Sequence, residues 1–163
     1  MNVLMINGSP RGNGNTAIAL REMKNVFAQE GIEVTELNVG AKAVRGCIAC
    51  NKCAELGKCV FDDAVNEAAP LLAKADGVVV ASPVYYASAN GNLISFLDRL
   101  FYSSRCDLTM KVGASVVCAR RGGCSATFDE LNKYFTISGM PLASSQYWNS
   151  IHGRLPGEAE QDE

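Results

Sequence analysis

Histidine is almost missing from this sequence: His152 stands alone. A histidine-based metal site therefore has no second ligand, and no serine or cysteine shows the histidine and acid partners of a hydrolytic triad. Long hydrophobic runs are also missing, and the apolar stretches are too short to span a bilayer. No block of one charge sign appears, because 15 lysines and arginines face 17 aspartates and glutamates for a net charge of −2. Nucleic acid and membrane are thus not expected as partners. The opening Met1–Ile6 lacks a cationic leader and a cleavage signal, reads as a strand, and places the protein in the cytoplasm as an expectation. Repeats, low-complexity tracts and interdomain linkers are missing too. One domain is expected over 1–153, with a cysteine-rich insertion at about 40–60 and a polar acidic tail over 154–163.

What remains is ordinary globular material, 48% hydrophobic and 20% charged over 163 residues, enough for one real core. Short apolar runs alternate with amphipathic stretches. Val3–Ile6 and Gly77–Ala81 read as buried strands, and Glu33–Leu37, Lys111–Ala119 and Pro141–Tyr147 as further ones. Helices are expected over Thr16–Glu30, Asp63–Ala75, Gly91–Tyr102 and Ser125–Ile137, each with an apolar stripe at helical spacing. This β-α repetition predicts an α/β fold, a parallel sheet with helices on both faces. Ligands of such sheets bind beyond the carboxyl ends of the strands. A helix covering the last strand is expected in such a fold but is not apparent in the acidic end.

Three loops at strand ends are unusual. Gly8-Ser9-Pro10-Arg11-Gly12-Asn13-Gly14-Asn15-Thr16 joins a strand to a helix start, a natural seat for an anion. Ser9, Asn13, Asn15 and Thr16 can donate hydrogen bonds and Arg11 a charged fork, which suits a terminal phosphate such as that of FMN. The same stretch also fits the dinucleotide pattern Gly12-x-Gly14-x-x-Ala17 with Glu36 downstream, or a plain polar turn. Pro83-Val84-Tyr85-Tyr86-Ala87 offers aromatic faces and backbone N–H groups to a planar ring. Arg120, Arg121, Gly122 and Gly123 form the third loop, with paired glycines allowing close approach to a ligand.

Seven cysteines are present, four of them at Cys47, Cys50, Cys53 and Cys59. This compact spacing suits a 4Fe–4S cluster. Zinc, or reduced or disulfide-forming thiols without metal, remain open on spacing alone. Cys118 reads as a small buried residue of a strand. No side chain is nominated as a catalytic acid or base.

Gly8-Ser9-Pro10-Arg11 with Gly14-Asn15-Thr16, then Ser82-Pro83-Val84-Tyr85-Tyr86, then Gly122-Gly123, resemble the NADPH-dependent FMN reductase superfamily. The cysteine spacing resembles its iron–sulfur flavoprotein branch, as does Tyr147-Trp148-Asn149. The resemblance implies a flavodoxin-like three-layer sandwich with strand order 2-1-3-4-5, non-covalent FMN, and a homodimer or homotetramer. It further implies NAD(P)H or a redox protein as electron donor and a small-molecule acceptor: a quinone, a nitro or azo compound, a metal ion or dioxygen. A flavodoxin-like electron carrier and a zinc-stabilised binding protein are the alternative readings.

Overall fold

The computed structural model describes residues 1–162. Five parallel strands form one sheet in the order β2-β1-β3-β4-β5. They are β1 (Asn2–Asn7), β2 (Glu33–Asn38), β3 (Gly77–Pro83), β4 (Val112–Ala119) and β5 (Ser150–His152). The helices are α1 (Asn15–Gln29), α2 (Cys53–Leu56), α3 (Ala64–Lys74), α4 (Gly91–Ser103) and α5 (Cys124–Ile137), with a 3₁₀ turn at Glu158–Gln161. The expected flavodoxin-like topology is therefore the observed one. None of the described helices is long and apolar enough to cross a membrane.

Alternation along the strands divides the core in two. Leu4, Ile6, Val78 and Val80 face α3, α4 and α5, where Leu72, Phe96, Leu100 and Phe135 complete the larger cluster. Val3, Met5, Val79 and Val116 face the other way, onto Leu20 of α1. Fully burying one such side chain contributes about 1.5–3 kcal/mol, so β1 and β3, apolar on both faces, are the centre of the sheet. Among the described residues α1 is the one helix that packs on the second face. Beside it lies an open groove of about 610 Å³ between Met23 and Phe27 of α1 and Val112, Ala114, Trp148 and Ile151. Among the described residues no α-helix follows β5, as expected.

The fifth strand departs from its expected place at Pro141–Tyr147. Gly113 of β4 donates to Pro141 O (2.8 Å) and accepts from Ala143 N (2.8 Å), but the chain then leaves the sheet. Ser145 Oγ donates to Tyr147 O (2.7 Å) and accepts from Tyr147 N (3.3 Å). This local turn competes with the ladder, and pairing resumes only at Ser150–His152 against Val117–Ala119. The stretch expected as an acidic tail is docked on α1 through its 3₁₀ turn. Asn15 donates to Leu155 O (3.0 Å) and accepts from Ala159 N (3.2 Å), and Arg21 pairs with Glu160 (3.0 Å).

A Cβ at Gly113 would stand 2.5 Å from the Phe135 ring, whereas one at Gly91 meets nothing within 4 Å. Overpacking a buried site costs about 1–3 kcal/mol. Gly113→Ala is expected to lose about that much stability in urea denaturation, and Gly91→Ala to stay within about 0.5 kcal/mol of the parent.

Candidate functional site

The carboxyl edge of the sheet gathers the three loops singled out by sequence. Gly8 N donates to Ala81 O (2.7 Å), joining the loop after β1 to the end of β3. Val84 N donates to Cys118 O (2.8 Å), joining the loop after β3 to β4. Gly123 (φ +94°) leaves space that a Cβ would lose, 3.0 Å from both Ala87 Cα and Val84 Cγ1. Gly123 therefore permits the third loop to close against the second.

Within the first loop, Ser9 and Thr16 are buried, while Arg11, Gly12 and Asn13 are exposed. Ser9 Oγ accepts from Arg11 N and donates to Arg11 O, both at 3.2 Å, which curls the loop on itself. Arg11 Nη1 donates to Arg154 O (3.3 Å). Helix α1 begins on Gly14 with no side-chain cap, whereas Asp63 caps α3 and Asn90 caps α4. Its first N–H groups are thus left for an anion. Asn7, at the end of β1, is fully buried; its Oδ1 accepts from Ser9 N (2.9 Å), and its Nδ2 has no partner among the described residues. A leftover buried donor beside an uncapped helix start fits an anionic ligand. Asn15 is different, because its amide is committed to the docked C-terminal segment.

The second loop is a tight turn. Tyr85 and Ser88 exchange backbone hydrogen bonds of 2.8 and 3.1 Å, with Tyr86 (φ +53°) and Ala87 (φ +59°) both left-handed. Such a conformation costs non-glycine residues of order 1 kcal/mol or more. Glu130 of α5 holds it, accepting from Ser88 Oγ (3.0 Å) and Ala89 N (2.8 Å). The Tyr86 ring is fully exposed and Tyr85 is 45% exposed. Pro83 and Val84 are half-buried, and Arg120, Arg121 and Gly122 exposed. Sequence reasoning missed Asn7 and Glu130. The apolar run ending in Asn7 just before Gly8 was a usable signal, whereas nothing local marked Glu130.

The four loop cysteines line one small pocket, with Arg99 and Phe61. Cys47 and Cys50 are exposed, Cys59 is half-buried and Cys53 buried. Between them Ala49 (φ +52°) and Asn51 (φ +57°) are left-handed, and Ala49 N donates to Cys47 Sγ (3.4 Å). Among the described residues no three His, Cys, Asp or Glu side chains are placed round a single ion. A 4Fe–4S cluster takes four cysteine thiolates as its ligands. Four soft sulfur donors round one pocket fit such a cluster. The loop is tied to α4: Tyr102 Oη bonds Asn51 Oδ1 (3.1 Å) and Arg105 Nε donates to Cys53 O (3.3 Å). Elsewhere, burial and then the neighbouring Cys124 push the Cys118 thiol up to about 11, so it stays neutral inside β4.

Comparison with known proteins matches residues 1–153 to the model of the NADPH-dependent FMN reductase family. An iron–sulfur flavoprotein of Methanocaldococcus jannaschii is 34% identical over an alignment of 175 positions, covering 100% of this chain and 89% of that protein. One from Methanosarcina thermophila is 31% identical over 167, covering 99% and 86%. The fold is shared with RosB holding 8-demethyl-8-formylriboflavin-5'-phosphate (TM-score 0.75, 18% identity, 99% of this chain and 69% of that one). It is also shared with an NAD(P)H:acceptor oxidoreductase of Paracoccus denitrificans (TM-score 0.69, 17% identity, 94% and 80%).

Burial pushes the Asp63 carboxyl up, but hydrogen bonds from Arg99 and Val65 N outweigh it and set its pKa below the ordinary 3.8. A carboxyl depressed in the folded state stabilises the fold above its unfolded pKa and loses that contribution as pH falls through the folded value. Asp63→Asn is therefore expected to destabilise the metal-free protein at pH 7 by roughly 1–3 kcal/mol. The gap should close as pH falls below 3.8, as checked by denaturation midpoints from pH 7 to 3.

Proposed function

This chain belongs to the NADPH-dependent FMN reductase family, in its iron–sulfur flavoprotein branch, and is an FMN-dependent oxidoreductase; from that premise we propose where FMN sits and what it works with. The observation that carries the proposal is the meeting of three loops at the carboxyl edge beside the uncapped start of α1.

The phosphate of FMN is held by the first N–H groups of α1 and by Ser9, Asn13, Thr16 and the Arg11 guanidinium. Asn15 supports that loop from behind through its bonds to Leu155 and Ala159. The ring lies along Pro83, Val84, Tyr85, Tyr86 and Ala87, with Gly122 and Gly123 closing the other side and Arg120 adding positive charge near the rim. Backbone N–H groups there favour a negatively charged ring. A dinucleotide at Gly12-x-Gly14 is the weaker reading, because Glu36 is already paired with Lys24 (2.9 Å).

Cys47, Cys50, Cys53 and Cys59 hold a 4Fe–4S cluster. Bound FMN supplies two-electron exchange with NAD(P)H and delivery to a quinone, nitro or azo compound, metal ion or dioxygen, while the cluster supplies a one-electron store. The chain's own residues bind, orient and charge-balance these groups; no side chain is assigned a proton. Homo-oligomer formation belongs to the same reading, supported by the apolar strip left open beside α1.

Two outcomes test this. Arg11→Ala combined with Thr16→Ala removes charged and neutral hydrogen bonds of about 1–3 kcal/mol each, so FMN should bind about 100-fold more weakly while riboflavin is unaffected. Equal loss for both ligands contradicts the phosphate assignment. Anaerobically purified protein should show flavin absorption with about four iron and four sulfide per chain; flavin with stoichiometric zinc, or with neither metal, contradicts the cluster.

A further inference from the structure

The bulkiest of the fully buried side chains is charged: Arg99 of α4 is only 1% exposed. A buried guanidinium must be matched by acceptors. Its Nη1 and Nη2 donate to the two oxygens of Asp63 at 2.7 and 3.0 Å. The adjoining edge, Nε and Nη2, donates to Cys59 Sγ at 3.3 and 3.2 Å. Nη1 also donates to Arg45 O (3.3 Å) and Nη2 to Phe61 O (3.4 Å), and the Phe61 ring lies 5.0 Å from the guanidinium carbon.

Asp63 alone suffices to neutralise Arg99. The second edge is nevertheless aimed at one sulfur, and a neutral thiol is only a weak acceptor. Two charge-assisted N–H···S bonds to a single atom gain most when that atom carries negative charge, as a metal-bound thiolate does. Among the described residues no other loop cysteine receives a charged donor at its sulfur; Arg105 reaches Cys53 through its carbonyl.

Resting on the four-cysteine cluster reading, we propose that Arg99 is a positioning residue for the cluster: it orients Cys59 and raises the cluster's reduction potential through its two bonds to that sulfur. Reduction adds one electron and no bond is made or broken, so the added negative charge is stabilised by the nearby cation and its hydrogen bonds. Asp63 is the counterweight that limits the effect. If Arg99 only pins α4 to the start of α3, its removal leaves the potential where it was.

The test compares the anaerobic holoprotein with Arg99→Gln, Arg99→Lys and Asp63→Asn. Iron and sulfide are assayed, and each protein is titrated with dithionite through mediators, following the reduced cluster by electron paramagnetic resonance and the flavin by absorbance. The cluster midpoint should fall in Arg99→Gln, fall less in Arg99→Lys, and rise in Asp63→Asn, with the flavin midpoint unmoved throughout. Asn caps a helix as well as Asp, so Asp63→Asn keeps α3 intact and decides the matter even if Arg99→Gln does not fold. Cluster midpoints equal to wild type in Asp63→Asn and Arg99→Lys overturn the role of Arg99 alone. A wild-type protein without iron and sulfide overturns the cluster reading and this inference with it.

Discussion

The constraint on which both candidate sites depend is a backbone crossing at Gly40. The chain leaving β2 passes so close to Gly8 and Ser9 that a side-chain carbon at Gly40 has no room. Val39 N and Gly40 N both donate to Asn7 O, at 2.9 and 3.3 Å. The carbonyl of Gly40 accepts from Asn90 and Asn92, at 3.3 and 3.0 Å. One small residue thus locks together the end of β1, the loop that turns into α1, the start of the cysteine insertion and the start of α4. Any side chain there must push the loop after β1 and the insertion apart.

From that crossing, α4 acts as a strut between the two candidate sites. Asn90 caps it at the sheet mouth through Asn92 N (2.8 Å). Leu93, Phe96, Leu97 and Leu100 bury its inner face completely. Arg99 and Tyr102 carry the cysteine loop, and Arg99 lies nine residues from the cap, about 13 Å along the axis at 1.5 Å per residue. A helix packed this well moves as a unit, so the mouth at the carboxyl edge and the cysteine pocket are held in fixed relation by a rigid element. Left-handed non-glycine backbone occurs in a short stretch of each: Tyr86 and Ala87 at the mouth, and Ala49 and Asn51 among the cysteines. Both are offset by anchors from another element, Glu130 of α5 in the first case and Tyr102 of α4 in the second.

Much of this was legible in the sequence because it is local. The unbroken apolar run of β1, the Val-rich β3 and the leucine stripe of α4 report burial at their own positions. Glycine-rich loops at strand ends pointed to the mouth, because backbone approach needs glycine wherever it occurs. What stayed hidden depends on partners far along the chain. Arg99 sits between buried leucines, yet reads as solvated charge until the insertion, 40 residues earlier, covers it. Glu130 reads as an exposed helix residue until the turn at Ser88 reaches it. The split of the fifth strand follows from a serine turn that propensity does not weigh against the ladder. Asn15 resembles a phosphate donor in sequence, but its amide is held by a segment 140 residues away.

The most direct measurement is a crystal structure of the protein grown with excess FMN. The phosphate should lie at the first turn of α1, bonded by Ser9, Thr16 and their backbone neighbours, with the ring between the Tyr85–Ala87 turn and Gly122–Gly123. A mouth left empty at saturating FMN, or a phosphate bound elsewhere, would contradict this placement.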